Sequence, residues 1–281
     1  MAPPSPPRCR LVRGGGAARR ASAGSIEGLP RENIAHFRFY AELNDFLSPE
    51  RRMLRFAHPF VDAMPVKEMI EGFGVPHTEV DLILANGEPV DFSYVVRNGD
   101  WLSVYPMFEA LDIAPLARLR PEPLREPRFV LDAHLGRLAG YLRMLGFDAL
   151  YQNHAGDAEL ARVSRDERRI LLTRDRGLLK RRAVTHGYFV RETAVRKQTS
   201  EVVSRFDLRR LIRPFTRCLR CNEPLAALSP ERARPRVPTF VAQTQERFRE
   251  CPACGRVYWA ATHVARMRER LAAMGVTLRG E

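Results

Sequence analysis

Between Arg128 and Asp175 two short apolar runs, Phe129-Val130-Leu131 and Ile170-Leu171-Leu172, each lead to an aspartate, Asp132 and Asp175. Between them lie a helical segment, a short strand around Ala149-Leu150-Tyr151 and a second helix opened by Asp157. Leu135, Leu138, Ala139, Leu142 and Leu145 recur at helical spacing and form the core face of the first helix. Strand, helix, strand and helix in this order describe an open parallel α/β sheet, which binds ligands beyond the carboxyl ends of its strands. Two strands that end on aspartates therefore bring both carboxylates to one rim, where Asp157 joins them. Like charges about 4 Å apart repel by about 1 kcal/mol in water and about 4 kcal/mol at an effective dielectric near 20. Three carboxylates stay ionised together only by sharing a cation, and an oxygen-rich site suits magnesium or manganese. The expectation is a metal-dependent nuclease centre. Asp157 and Asp175 also suit helix N-caps, and one side chain can fill both roles because a carboxylate has two oxygens.

The second constraint is the pair Cys218-Leu-Arg-Cys221 and Cys251-Pro-Ala-Cys254-Gly255, two Cys-x-x-Cys knuckles separated by 29 residues. Four thiolates in paired knuckles suit a closed, structural, tetrahedral zinc site. The long spacer is tolerated because the cost of closing a loop grows slowly with its length. Disulfides are the rival reading, disfavoured by a chain with no export signal, which is expected in the cytoplasm. Tyr258 and Trp259 suit packing under the knuckle, with base stacking as the alternative.

The net charge of +13 is unevenly spread. Residues 1–30 carry +4, residues 31–110 carry −6 (7 basic and 13 acidic side chains), and residues 111–281 carry +15 (34 and 19). A basic half points to a polyanion, most simply nucleic acid. Candidate phosphate contacts are Arg137, Arg143, Arg174, Lys180, Arg181 and Arg182, with solvation the default for the helical arginines. His154 fits substrate orientation or no role, and Glu192 is a weak fourth acid. Residues 1–30 are rich in Pro, Arg, Ala and Gly and read as a disordered tail. Residues 111–127 hold four prolines and read as a stiff linker. Residues 268–281 form a basic tail. Nothing approaches 18 uninterrupted apolar residues, so no membrane span is expected.

Residues 31–110 read as a β-grasp module. A strand over Ile34–Tyr40 is followed by a turn at Glu42–Phe46, a second strand near Phe56–Phe60 and an amphipathic helix from Val66 stopped by Gly72 and Gly74. Further strands follow, joined by the hairpin signal Asn86-Gly87. Thr199 to Leu211 reads as one amphipathic helix of the nuclease unit.

Phe129-Val-Leu-Asp132, Leu135-Gly-Arg-Leu-Ala-Gly-Tyr-Leu-Arg-Met-Leu-Gly146 and Ile170-Leu-Leu-Thr-Arg-Asp175 resemble the Mut-seven C-terminal RNase domain, a branch of the PIN-like (PilT N-terminus) nucleases. The resemblance continues into the cysteine segment, where Asn222 and Val257-Tyr-Trp-Ala-Ala-Thr-His263 match the ribbon phrases in kind. It implies a PIN-like core over 128–213, a zinc ribbon over 214–267, and Asp132, Asp157 and Asp175 as acidic metal ligands. Val66-Lys-Glu-Met-Ile-Glu71, Val80-Asp-Leu-Ile-Leu-Ala-Asn-Gly87 and Gly99-Asp-Trp-Leu-Ser-Val-Tyr-Pro106 resemble the ubiquitin-like module that precedes this domain, and also sulfur-carrier proteins. Sulfur transfer needs a free Gly-Gly terminus, whereas here Tyr105-Pro106-Met-Phe-Glu109 runs on. A docking module is the better reading, its acidic surface facing a protein partner or the basic half of its own chain. The resulting expectation is a metal-dependent ribonuclease acting on RNA phosphodiesters. The alternative, from another class, is a non-catalytic RNA-binding adaptor.

Overall fold

The structure, a computed structural model, describes residues 32–106 and 127–259. The tail at 1–30, nearly all of the linker at 111–127, and residues 268–281 lie outside the described residues, as does His263. Among the described residues no helix is long and apolar enough to cross a membrane.

The first unit is a mixed five-stranded sheet. Its elements are β1 (Asn33–Phe39), β2 (Arg55–Phe60), helix α1 (Val66–Gly72), β3 (Val80–Ala85), β4 (Glu88–Val90) and β5 (Trp101–Pro106), in sheet order β2-β1-β5-β3-β4. The parallel β1–β5 pair at its centre, with antiparallel neighbours, is the β-grasp arrangement expected from the sequence. Alternation along β1 sends Ala35, Phe37 and Phe39 inward against Val66, Met69 and Ile70 of α1. Asn86 (φ 53°) and Gly87 (φ 91°) both take the left-handed backbone of a tight hairpin between β3 and β4. The segment read as a turn at Glu42–Phe46 forms a 3-10 helix over Ala41–Phe46, because Leu43 and Phe46 gain burial by pointing into the core.

The second unit is a four-stranded, all-parallel sheet in the order β7-β6-β8-β9, from β6 (Arg128–Leu131), β7 (Asp148–Tyr151), β8 (Ile170–Thr173) and β9 (Gly187–Phe189). Helices α2 (Gly136–Met144), α3 (Asp157–Asp166), α4 (Arg176–Leu179) and α5 (Val195–Arg205) cover both faces. Phe129, Leu131, Ile170 and Leu172 pack under α2 and α5, while Val130 and Leu171 pack under α3 and α4. Burial on both faces is why these strands read as unbroken apolar runs. From β6 the chain moves one way to β7 and then back across to β8, so the crevice between the ends of β6 and β8 is the switch point of the sheet. The helix expected over Thr199–Leu211 instead spans Val195–Arg205 and breaks at Asp207 (φ 45°) before a 3-10 turn over Leu208–Leu211. The break lets Leu208 and Ile212 fold back onto the core and Arg213 N–H reach Leu145 O at 2.9 Å. Gly146 (φ 96°) is required there, since a Cβ would stand 2.0 Å from Arg213 O. A third sheet, β10 (Ala226–Leu228), β11 (Phe248–Glu250) and β12 (Val257–Trp259), carries the cysteines, with short helices α6 (Pro230–Ala233) and α7 (Thr239–Thr244) in the spacer.

The acidic face of the β-grasp unit packs on the basic core of the same chain. Glu79, fully buried, accepts from Phe189 N–H at 2.6 Å and pairs with Arg191 at 3.1 Å. Burial pushes the Glu79 carboxyl upward, against the pull of Arg191. Asp45 also meets Arg191, at 3.3 Å, and Glu42 meets Arg205 at 3.7 Å. The His77 ring lies 2.6 Å from Glu71 and 2.9 Å from the Val184 carbonyl oxygen. Phe46 and Phe189 meet edge to face at 5.5 Å. Removing the cation from a buried pair leaves an uncompensated charge, which typically costs 3–5 kcal/mol. Arg191→Ala should therefore lower the free energy of unfolding by about 3 kcal/mol, read from urea denaturation. The double variant Glu79→Gln/Arg191→Ala should recover part of the loss.

Candidate functional site

Asp132, Asp157 and Asp175 line one open cleft of about 480 Å³ together with His134, Arg174, Arg176 and Phe189. The backbone produces this convergence. Asp132 follows β6, and its N–H continues the sheet ladder to Leu172 O at 3.1 Å. Thr173, fully buried at the end of β8, donates its hydroxyl to Asp132 Oδ2 at 2.8 Å and accepts the Asp175 N–H at 2.9 Å. One threonine thus ties together the two strand-end aspartates. Asp175 is also the N-cap of α4, its Oδ1 accepting from Gly177 N–H at 2.7 Å and Leu178 N–H at 3.4 Å. Asp157 is the first residue of α3, after Gly156 as cap, and its exposed carboxylate faces Arg181 at 3.4 Å. Capping therefore belongs to Asp175 and not to Asp157.

Asp132 differs from every other buried acid described. Glu79 has Arg191, Asp100 has donors from Asn86, Tyr94 and Arg97 N–H, and even the half-buried Asp148 has Arg169. Asp132 is only 9 % exposed, and among the described residues its side chain meets one neutral hydroxyl and no cation. A buried carboxylate without a counter-charge is costly in a folded protein.

The basic candidates are placed as follows. Arg174 lines the cleft, but its Nη1 donates to the carbonyls of Val190, Arg191 and Glu192 at 3.0, 2.9 and 2.6 Å. Its Nε and Nη2 have no protein partner among the described residues. Lys180 Nζ donates to Glu71 O of the β-grasp unit at 2.6 Å. Arg137 is exposed on α2 and does not line the cleft, nor do His154 and the Glu192 side chain. Arg143, read as solvated or phosphate-facing, is buried and donates to Ala149 O, Leu219 O and Arg220 O. A helix position that would face outward in isolation is here covered by the cysteine ribbon. His134, Thr173, Arg176 and Phe189 are cleft residues or supports that sequence reasoning passed over. For His134, Thr173 and Arg176, position beside an aspartate (Asp132-Ala-His134, Thr173-Arg-Asp175-Arg176) is the only signal; Phe189 carries none.

The four cysteines are drawn together, all Sγ atoms lying within 4.8 Å of one another. Among the described residues they are the one group of three or more potential ligands gathered closely enough to share an ion; the three aspartates share a cleft without closing to that degree. A tetrahedron of about 2.3 Å metal–sulfur bonds sets sulfurs about 3.8 Å apart, and Cys218 and Cys254 stand 3.7 Å apart. The two knuckles repeat one another. Asn222 and Gly255, each following the second cysteine, have φ of 69° and return their N–H to Cys218 O and Cys251 O, both at 2.9 Å. Burial opposes ionisation of Cys218, yet hydrogen bonds from the Tyr258 hydroxyl and the Cys221 and Arg220 N–H groups pull its thiol down to about 6. The cluster is suitable for zinc.

Asn222 also locks the ribbon to the parallel sheet, accepting from Ala149 N–H at 3.0 Å and donating to Asp148 at 2.6 Å. Burial pushes the Asp148 carboxyl up, but the Arg169 and Asn222 donors outweigh it and hold it below the usual carboxylate range.

A doubly covered parallel sheet with carboxylates at its switch point, a β-grasp unit ahead of it and a four-cysteine ribbon behind it define the class: a PIN-like α/β protein with a ubiquitin-like module. The Mut7-C RNAse domain family matches residues 127–271, and the Mut7-C ubiquitin family matches residues 32–112. The chain belongs to the Mut7-C RNase family, with the ubiquitin-like domain at its N-terminal side. No curated protein and no solved structure matches it.

Loss of the Asn222 side chain removes two hydrogen bonds and leaves an alanine in left-handed backbone, so Asn222→Ala should destabilise by about 3 kcal/mol in urea unfolding. Arg143→Met should weaken the same joint.

Proposed function

We propose that this protein is a metal-dependent ribonuclease that hydrolyses RNA phosphodiester bonds in the cleft between the ends of β6 and β8. The observation that carries the reading is Asp132, a buried carboxylate with no cation among its described neighbours. The choice of RNA rests on the family, since nothing at the cleft reads a 2′-hydroxyl. The donor set fits Mg²⁺ or Mn²⁺: Asp132 faces the cleft with one oxygen uncommitted, and Asp175 keeps Oδ2 free of its cap. Asp157 joins them when it releases Arg181. A divalent ion held there supplies Lewis-acid polarisation of the phosphate and an acidified water for in-line attack. The chain's own residues do the rest. Thr173 holds Asp132 in one orientation, so that carboxylate needs no reorganisation as charge develops. Arg174, through its uncommitted nitrogens, and Arg176 offer phosphate contacts that bind without reading sequence; Arg137 on α2 and Lys180 after α4 add positive charge on opposite faces of the sheet. No covalent nucleophile is required. Cys218, Cys221, Cys251 and Cys254 would hold a structural Zn²⁺, whose four thiolates leave no open position for chemistry.

The observations that favour a non-catalytic RNA-binding adaptor are the Asp157–Arg181 pair and the Asp175 cap, which occupy acids that a nuclease needs.

Purified full-length protein incubated with labelled RNA and Mn²⁺ should cleave it, and excess chelator should stop the reaction. Asp132→Asn should lower the rate at least about a hundredfold, since even an outer-shell partner of a metal is typically worth about 10–100-fold, with the fold kept by circular dichroism. RNA retained but not cleaved by the wild-type protein would select the adaptor.

Metal analysis should find one zinc per chain, lost in Cys251→Ser/Cys254→Ser. Zinc-selective chelation should lower the thermal midpoint, because metal binding to such a site is folding free energy.

A further inference from the structure

The face of the β-grasp sheet turned away from its core carries an aromatic and basic strip. Side chains on β1 and β5 that alternate outward are His36, Arg38, Trp101 and Tyr105, with Tyr40 just past β1 and Arg55 on β2. His36 stacks on Trp101 at 4.6 Å, and Tyr40 stacks on Tyr105 at 4.2 Å with an 11° interplanar angle. Arg55 lies over the Trp101 ring at 4.5 Å and Arg38 over the Tyr40 ring at 5.0 Å. Trp101 is 46 % exposed, an unusual state for a tryptophan on a sheet.

The charge of this face runs against that of its own module. Residues 32–106 carry 12 acidic and 6 basic side chains. Three of those acids, Glu42, Asp45 and Glu79, are turned to the nuclease core. Arg38 and Arg55, by contrast, have no carboxylate partner among the described residues and rest only on aromatic rings. Guanidinium groups stacked on rings and free of carboxylates present donors to phosphate while the ring planes present surfaces to bases. An acidic or purely apolar partner uses one of these features and not the other.

We infer that this outer sheet face is a binding platform for single-stranded RNA, in which bases stack on the Trp101 and Tyr40–Tyr105 rings and Arg38 and Arg55 contact the backbone. Single strands are the ligand because only unstacked bases can lie on a ring; in a duplex those faces are already covered. Arg55 covers Trp101 from an exposed position, so a base either displaces it or stacks on its guanidinium plane. The strip leads to the cleft: beyond β1 the chain enters the Ala41–Phe46 helix, whose Asp45 and Phe46 carbonyls receive the guanidinium of the cleft residue Arg176 at 3.4 and 3.5 Å. The ubiquitin-like unit then delivers a strand to the nuclease core to which it is packed. The choice of RNA over another polyanion rests on the ribonuclease reading.

The test uses full-length protein carrying Asp132→Asn, so that RNA survives, and a fluorescein-labelled single-stranded 12-mer followed by anisotropy. Adding Trp101→Ala should weaken binding about tenfold, within the range for losing one base–aromatic stack. Adding Arg38→Gln/Arg55→Gln should make the salt dependence shallower, as lost phosphate contacts do, and the matching duplex should bind without dependence on Trp101. In a Trp259→Phe background, where Trp101 is the sole tryptophan, single-stranded RNA should quench its fluorescence, which decides the matter if Trp101→Ala fails to fold. Unchanged affinity in a folded Trp101→Ala, or an unquenched Trp101, overturns the inference and leaves the face to a protein partner. Trp101-dependent binding in a protein whose wild type cleaves nothing sinks the nuclease reading alone. Cleavage with Trp101-independent binding sinks only the platform.

Discussion

Everything at the cleft depends on β6 and β8 lying side by side, parallel and buried on both faces. Once Phe129, Leu131, Ile170 and Leu172 are committed to one layer and Val130 and Leu171 to the other, neither strand can slip by one residue without turning its apolar set inside out. Register is thereby set, and the polar residues that follow must emerge at the same level. Thr173 converts that register into a site, since a single hydroxyl spans from the Asp132 carboxylate to the Asp175 backbone. The acids converge because hydrophobic burial holds the strands in place, against their mutual repulsion.

The same economy appears where the three units meet. Short polar struts do the joining: Asn222 and Arg143 fasten the ribbon to β7, and Glu79 with Arg191 fastens the β-grasp unit to β9. Each strut satisfies backbone groups on the open edges of the sheet, at Ala149 of β7 and Phe189 of β9, where no further strand pairs. The charge imbalance along the chain acquires a meaning from this. An acidic module and a basic core attract one another, and the acids at their junction are used up in holding the molecule together. The arginines with no carboxylate partner among the described residues include Arg38 and Arg55 on the sheet face and Arg174 and Arg176 at the cleft, and the proposed path of RNA runs between them.

Legibility in the sequence followed the range of the interaction concerned. The apolar runs, the Asn86-Gly87 hairpin and the Cys-x-x-Cys knuckles depend on neighbours within a few residues, and all three took the expected form. The helix over Thr199–Leu211 was misjudged because its end depends on Gly146 and Arg213, which only the folded chain brings together. Arg143 was misjudged for the same reason: its partners Leu219 and Arg220 lie more than seventy residues away. Lys180 read as a phosphate contact from charge alone, and charge does not reveal that its ammonium meets the Glu71 carbonyl of the β-grasp unit.

By itself, then, the sequence determined the three-part architecture, the parallel sheet, the two aspartates at strand ends and the four-cysteine cluster, because periodicity and spacing are local and survive without tertiary context. The tertiary structure alone decided that Thr173 couples Asp132 to Asp175, that Asp157 faces Arg181, and that the acidic module turns inward while its aromatic face turns out. Those outcomes depend on side chains distant in sequence competing for the same space and the same charges, a competition that is settled only when the units pack.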